Sequence, residues 1–540
     1  YRGACYIKNS EDNCQIGLEK KEGRKMKAIG LDIGTTTVCG VLVDARTGEL
    51  LDAKTLSNDS AIKSEHTYER TQDADKILTK CKNILEEYLS EQEDIVSIGV
   101  TGQMHGIVYV DENGVAISPL YTWQDGRGDL VCADIQKKQP VVDSESMGNT
   151  DTESKVADNS EMGDSGNIDS GNKVADNVET GESGNVCMTY AAELSKITGY
   201  HMASGFGLTT NYYNTKHGLV PEEAKSFCTI PDYVAMSLAG EKRPKMHQTM
   251  AASLGLYNMK AGDFDRTAAE KAGMNPELLS EVATTSTICG AYTADVEKYP
   301  AYAGKTIPVA VAFGDNQASF LGSVNQDCKV LLNVGTGGQV SVYSEELIKA
   351  DGIECRPYLK GSYLMAGSSL CGGYSYNLVK RFFEEIYALA GVGCPKDIYS
   401  IMNRIAGEAA EKEKTLTVDT RFNGSRENPA LTGSITGLTV DTFHPGDLAY
   451  GVLRGLCEEL YQFYNVLPEN LKDGSHFVGS GNGIRKNPLL QKIASDRFRM
   501  KLRIPKYAEE AAYGAVLFSL LASGERETLE DVQRLIRYEA

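Results

Sequence analysis

No apolar run in this sequence approaches the roughly 18 residues that a membrane-crossing helix needs, so a place in the bilayer is not expected. Disulfide and zinc frameworks are missing as well. The 13 cysteines are odd in number and scattered, with no Cys-x-x-Cys pair and no Cys/His spacing suited to a metal. They read as reduced thiols of a cytoplasmic protein. Positive charge is in short supply, with 55 Lys and Arg against 74 Asp and Glu and a net charge of −19. A nucleic acid held through its phosphates would be repelled over most of such a surface, which points to small-molecule chemistry instead.

What is present is ordinary globular composition, 41% hydrophobic and 24% charged, in 540 residues, too many for one core and enough for two large domains. Two stretches stand outside that organisation. Residues 1–25 lack the layout of a secretory signal, and Met26 stands just before the first convincing strand. Lys20 to Lys25 could be written in purine-only codons, like a bacterial ribosome-binding site, so the expectation is a start at Met26 preceded by translated leader. Between Val141 and Val186 there is no Leu and no aromatic residue, and the acidic side chains far outnumber the two lysines. Lys-Val-Ala-Asp-Asn occurs at 155–159 and again at 173–177, a mark of tandem duplication. Such a stretch cannot offset the entropy of ordering it, so a disordered acidic insertion at 141–186 is expected.

An internal echo links the two halves of the rest. Leu31-Asp32-Ile33-Gly34-Thr35-Thr36-Thr37-Val38 resembles Leu332-Asn333-Val334-Gly335-Thr336-Gly337-Gly338 with Val340 after it, each between two apolar strands. Both read as β-hairpins with Gly/Thr tips, set among alternating strands (95–100, 307–313) and helices (73–89, 448–464), an α/β pattern repeated. Such tips expose backbone N–H groups that can surround phosphate oxygens. One alone is a plain turn; two, one per half, suggest a polyphosphate gripped from both sides. Asp32, at a strand end, could hold Mg²⁺ through water, whereas its counterpart is the neutral Asn333.

Gly304-Lys305-Thr306 is not a P-loop, because Tyr299 stands where its first glycine belongs. Gly479-Ser480-Gly481-Asn482-Gly483 lacks the last glycine of a dinucleotide fingerprint, which is Ile484 here. It reads either as a structural turn or as backbone approaching a base or ribose, with Asn487 nearby. Asp315, in Gly314-Asp315-Asn316-Gln317 between a strand and a helix, could cap that helix or act as a general base. In Gln103-Met104-His105-Gly106, also at a strand end, His105 is either a loop histidine or a substrate contact. Trp123-Gln124-Asp125-Gly126-Arg127 holds the only Trp. Asp125 and Arg127 could bond sugar hydroxyls while the indole covers an apolar sugar face; the plainer reading is a buried Trp beside a surface ion pair.

Together these motifs resemble the FGGY family of carbohydrate kinases, of the actin and hexokinase superfamily, from about Met26 to the C-terminus. The resemblance implies an α/β protein of two ribonuclease-H-like domains, 26–322 and 323–540, closing on a cleft. It makes Gly34, Thr35, Thr36 and Thr37 with Gly335, Thr336 and Gly337 the phosphate segments, and Gly479, Gly481, Asn482, Gly483 and Asn487 the adenosine segment. Asp315 becomes the base and Asp32 the metal-side carboxylate. Gln103, Met104, His105, Trp123, Asp125, Arg127, Asp315 and Asn316 become sugar contacts, as in the ketose kinases. The implied reaction is phosphorylation by ATP, with Mg²⁺, of a primary hydroxyl of a ketose, at C7 if the sugar is sedoheptulose. The small-molecule sugar is the implied partner, and a homodimer is a compatible assembly. In the C-terminal signature region, 433–454, Arg454 stands where an acidic residue is expected. Xylulose or another polyol is the rival substrate, and an actin-like ATP-gated interaction protein is the rival class.

Overall fold

The computed structural model describes residues 26–132, 179–180 and 186–540, apart from positions 360, 426, 427, 429, 473 and 540. The expected leader lies outside the described residues, as does the expected insertion except where Glu179–Thr180 pairs with Val186–Cys187.

The described residues open with β1 (Lys27–Ile33) and β2 (Thr37–Asp44), an antiparallel hairpin continued by β3 (Leu50–Ser57). Hydrophobic residues fill both faces of β1 and β2, as a central pair covered on both sides requires. α1 (Ala74–Glu91) starts where Asp73 accepts the Lys76 N–H, and it buries Ile77, Cys81, Ile84, Leu85 and Tyr88 at helical spacing. β4 (Ile95–Gly102) then lies parallel to β1. With β5 (Ile288–Tyr292) and β6 (Ile307–Ala310) the first sheet reads β5-β6-β4-β1-β2-β3, and the two-residue β7 (Phe313–Gly314) also pairs with β4. The expected strand 307–313 is thus broken between Ala310 and Phe313. α2 (Asp315–Ser323) follows.

The second half repeats this plan. β8 (Val330–Val334) and β9 (Gly338–Ser344) form the second hairpin, β10 (Glu354–Pro357) and β11 (Tyr363–Ser369) extend it, and β12 (His476–Ser480) and β13 (Lys501–Arg503) run parallel on the other side. The order is β10-β11-β9-β8-β12-β13. In each sheet an antiparallel three-strand ribbon has its first strand beside a parallel one, so the echo in sequence is a repeat in topology. Each sheet has its own apolar core, and a third core joins them.

The last long helix, α3 (Glu510–Ala522), packs on the first sheet, where a Cβ on Gly99 would lie 1.9 Å from the Ala515 carbonyl oxygen. Ser519 pairs with Ser97 at 2.8 Å, and Arg526 bonds the Ala45 carbonyl at 2.7 Å. α3 also crosses α2, at Gly514, where a side chain would meet the Ala318 carbonyl oxygen at 1.9 Å. Both helices therefore sit at the junction of the two lobes. Ten of the 13 cysteines are free thiols, and no helix among the described residues is long and apolar enough to cross a membrane.

Candidate active site

Three neighbouring parallel strands end together in the first lobe. Asp32 pairs with Thr101 and Ile33 with Gly102, while Phe313 and Gly314 pair with the same two residues from the other side. Thr101 Oγ1 donates to the Phe313 carbonyl at 2.6 Å. Asp32, Gln103 and Asp315 thereby share the carboxyl edge of the sheet, where open α/β folds bind ligands.

Asp315 opens α2 without capping it. Gly314 holds the cap position, and the Asp315 carboxylate accepts from the adjacent Asn316 N–H at 2.6 Å. Burial pushes Asp315 up to about 6, against the pull of that N–H and of Arg356. Such a carboxylate is ionised at neutral pH and basic enough to take a hydroxyl proton. Burial first, then the charges of Asp315 and Glu509, push Asp32 up to about 7. A crowded carboxylate in this setting is one that a cation would relieve. Among the described residues no group of three or more His, Cys, Asp or Glu is arranged to hold a metal, so such a cation would draw its other ligands from water and phosphate oxygens.

The two hairpin tips share a construction. In the first, the carbonyls of Gly34 and Thr35 are tied back by Asn58 Nδ2 (2.8 Å) and Gln72 Nε2 (2.9 Å), and that of Thr36 by the Asn58 N–H (2.8 Å). In the second, the carbonyls of Gly335 and Thr336 are tied to the N–H groups of Gly373 (2.9 Å) and Tyr374 (3.0 Å), at the start of the helix Gly372–Leu389. With the carbonyls fixed on one side, the N–H groups of Thr35, Thr36 and Thr336 keep no backbone partner among the described residues, which is the arrangement of an anion cradle. Gly372 is required by proximity, since a Cβ there would lie 2.1 Å from the Gly337 carbonyl.

Beside the second tip lies a cavity of about 860 Å³, of a size for a nucleotide. Gly335, Thr336, Gly481, Asn482, Gly483 and Asn487 line it, together with Tyr374, Asn403 and Glu509. Asn487 is also spoken for locally: its Oδ1 caps the helix Pro488–Phe498 at the Leu490 N–H (3.1 Å), and its Nδ2 donates to Asn403 (3.1 Å). Gly479 is a correction, because it sits inside β12 where a side chain would strike Leu502, Ile484 and Ile504. Its role is packing. Arg454, the departure from the family signature, bonds Thr415 and lines a different groove of about 570 Å³, away from this cavity.

The expected sugar contacts divide into two sets. Trp123 is half-buried and donates Nε1–H to Thr35 Oγ1 at 3.0 Å, joining its segment to the phosphate tip. Gln103 lies at the same edge, and its Oε1 is buried without a hydrogen-bond partner among the described residues. Among the same residues Asn316 Oδ1 is likewise unpartnered. His105 holds a positive φ of 72°, stacks on Phe206 at 5.1 Å and donates Nδ1–H to the Ser253 carbonyl at 2.7 Å. Met104, Asp125 and Arg127 require correction. Met104 is a core residue, 8% exposed, beneath Gly314. Asp125 and Arg127 form a buried ion pair, 2.6 Å apart and at most 2% exposed, rather than groups offered to a ligand or a surface pair. The guanidinium is enclosed by Tyr121 (4.3 Å), Tyr213 (5.4 Å) and Asn214 (2.6 Å).

Four residues at the site were not legible beforehand: Asn58 and Gln72 behind the first tip, and Arg356 and Glu509 from the second half. Arg356, held by Glu354 at 2.5 Å, lies in β10, whose last residue Pro357 accepts through its carbonyl from Gln317 (3.2 Å), two residues beyond Asp315. No local pattern marks any of them.

A sequence model described as the FGGY family of carbohydrate kinases, N-terminal domain, matches residues 27–150 and 186–322, and its C-terminal counterpart matches 330–523. Sedoheptulokinase of the mouse, Mus musculus, is 26% identical over 533 residues, 91% of this chain and 97% of that protein. Xylulose kinase of Staphylococcus xylosus is 22% identical over 92% of this chain and 91% of that protein. The solved structure of gluconate kinase from Lactobacillus acidophilus superposes with a TM-score of 0.73, at 18% identity, over 96% of this chain and 93% of that one. The fold is therefore the two-domain, actin/hexokinase-like α/β fold. Both halves are matched in order and across the site residues, and the chain belongs to the FGGY family of carbohydrate kinases.

Proposed function

We propose that this kinase transfers the terminal phosphoryl group of Mg-ATP to a primary hydroxyl of a ketose, with sedoheptulose, phosphorylated at C7, as its substrate. The observation that carries the reading is the convergence of Asp315, Asp32 and the Trp123–Thr35 bond on one strand edge, with a nucleotide-sized cavity beside the second tip. Asp315 accepts the proton of the attacking hydroxyl, and Asn316 and Gln103 orient the sugar through their unpartnered oxygens. Thr35, Thr36 and Thr336 hold phosphate oxygens through backbone N–H groups, whereas the Gly335 N–H closes its own tip on the Gly337 carbonyl at 3.0 Å, and Gly481 to Gly483 with Asn487 floor the adenosine end. Asp32 fits a hydrated Mg²⁺, which would neutralise charge on the phosphates. Phosphoryl transfer needs little covalent help from protein, so this positioning supplies most of the catalysis.

The likeness to sedoheptulokinase over 97% of that protein's length favours the seven-carbon ketose. Xylulose and gluconate are the alternatives favoured by the other similar proteins. Purified protein assayed against a panel of ketoses, polyols and sugar acids with coupled ADP detection decides among them. Highest kcat/KM on sedoheptulose is expected; a higher value on xylulose or gluconate overturns that assignment.

A further inference from the structure

Three side chains tie the first phosphate tip to the expected sugar-side segments. Gln72 Nε2 donates to the Thr35 carbonyl at 2.9 Å, Gln103 Nε2 donates to Gln72 Oε1 at 2.9 Å, and Trp123 Nε1 donates to Thr35 Oγ1 at 3.0 Å. Gln72 and Gln103 are 4% and 5% exposed. Gln72 belongs to a two-residue strand, Thr71–Gln72, that pairs with Leu120–Tyr121 just before Trp123.

The direction of every bond in this chain is determined. A backbone carbonyl only accepts and an indole N–H only donates. The Thr35 carbonyl therefore claims the Gln72 amide NH₂, which turns Gln72 Oε1 towards Gln103. Gln103 must then present its own NH₂, and its Oε1 is left as an acceptor, buried and unpartnered among the described residues. At the other end, the Thr35 hydroxyl accepts from Trp123 and keeps its own proton to donate. Neither amide can be flipped without setting two like groups against each other. The network thus ends in a vacant acceptor at Gln103 and an available donor at Thr35. A sugar hydroxyl suits the first and a phosphate oxygen the second.

We propose that Gln72 is a positioning residue that couples the two substrates: it fixes the Gln103 amide for the sugar and the Thr35 tip for the phosphate through one buried hydrogen-bonded chain. The inference rests on the kinase reading above. A sugar seated on Gln103 and against Trp123 stiffens the tip at both of its anchors, so transfer to water in the absence of sugar is held down.

The test uses Gln72→Met and Gln72→Glu, both near glutamine in size, beside the wild type and the preferred sugar of the panel. Met can neither donate nor accept as glutamine does, and Glu cannot donate to the Thr35 carbonyl when ionised. Sugar-dependent turnover, KM for each substrate, sugar-independent ATP hydrolysis and melting are measured. A fall in kcat of about tenfold to a hundredfold is expected, with ATP KM within about threefold and a larger share of ATP spent without sugar. In combination with Trp123→Phe, the loss should be smaller than the product of the single losses, because both act on Thr35. Variants that melt lower but keep kcat per folded enzyme and keep hydrolysis coupled to sugar would reduce Gln72 to scaffold and overturn the inference alone. A wild type that phosphorylates nothing in the panel would overturn the kinase reading and the inference with it.

Discussion

Replacing Asp125 with Ala tests where scaffold ends and sugar site begins. Its carboxylate accepts from the N–H groups of Arg70 (3.1 Å) and Arg127 (3.2 Å) and from Arg127 Nε (2.6 Å) and Nη2 (3.2 Å). Truncation leaves the Arg127 guanidinium buried, with Asn214 at 2.6 Å and Glu69 at 3.7 Å as its polar neighbours. Breaking a buried pair by removing one partner costs about 3–5 kcal/mol, whereas an exposed pair contributes about 1 or less. For a lobe of roughly 250 residues that loss corresponds to a fall in Tm of about 10 °C. Differential scanning fluorimetry, run beside saturation curves for sugar and ATP, is the assay. The expected result is a large fall in Tm, with sugar kinetics impaired through the loosened Trp123 segment. Asp125→Ala combined with Arg127→Met should recover much of the Tm, since no charge then remains buried alone. Unchanged melting together with an isolated rise in sugar KM would refute the reasoning and return Asp125 to the sugar.

Asp315→Asn should lower kcat by roughly 10²- to 10⁴-fold with ATP affinity nearly unchanged, and near-normal turnover would remove it from the mechanism. Because burial holds Asp315 near 6, kcat/KM for sugar should decline as pH falls through about 6; a flat profile to pH 5 would contradict its role as base. Gly372→Ala would drive a methyl group into the Gly337 carbonyl, so ATP KM should rise by about tenfold or more while calorimetric sugar binding persists. Asp232, buried with Oδ1 unpartnered, is pushed up to about 7 from an unfolded value near 3.9, so the stability it supplies is full below about pH 4 and lost as pH rises to about 7. The Tm of Asp232→Asn relative to wild type should therefore climb between pH 4.5 and 7.5, and a constant difference would count against it.

The parts of the site legible in the sequence are those whose chemistry is local. A glycine-rich tip between two apolar strands announces itself within ten residues, and so does an acid placed after a buried strand. Both hairpins, α1 and the strand ends carrying Asp32, Gln103 and Asp315 appear where the pattern put them. Asp125 and Arg127 were misplaced for the opposite reason. Two residues apart, they look like a solvated pair, and what buries them is Tyr213 and Asn214, in a helix far along the chain. Gln72 escapes for the same cause, because its partners are Thr35 and Gln103 and nothing in Thr-Gln-Asp marks it as a hub. Gly479 looked functional because glycine serves packing and ligand approach alike, and only the neighbouring Leu502 and Ile504 decide which.

The repeat also explains why its two halves are not equivalent. Both tips have their carbonyls fastened behind them and offer N–H groups forward, so the anion cradle is common to the two lobes. The residue before each tip differs, Asp32 in one and Asn333 in the other. Asn333 Oδ1 lies 2.8 Å from the place a Cβ on Gly481 would take, against the glycine turn of its own lobe. Asp32 is already driven up to about 7 by burial and by the charges of Asp315 and Glu509. A carboxylate at position 333 would add a negative charge next to the tip of the second lobe, and so would oppose any anion held there. An amide at that position keeps the size and the hydrogen-bonding capacity while adding no charge. Electrostatics on a duplicated scaffold thus favours one charged and one neutral copy, with Asp32 beside Asp315 at the strand edge of the first lobe and the tip after the neutral Asn333 lining the cavity that would hold the nucleotide.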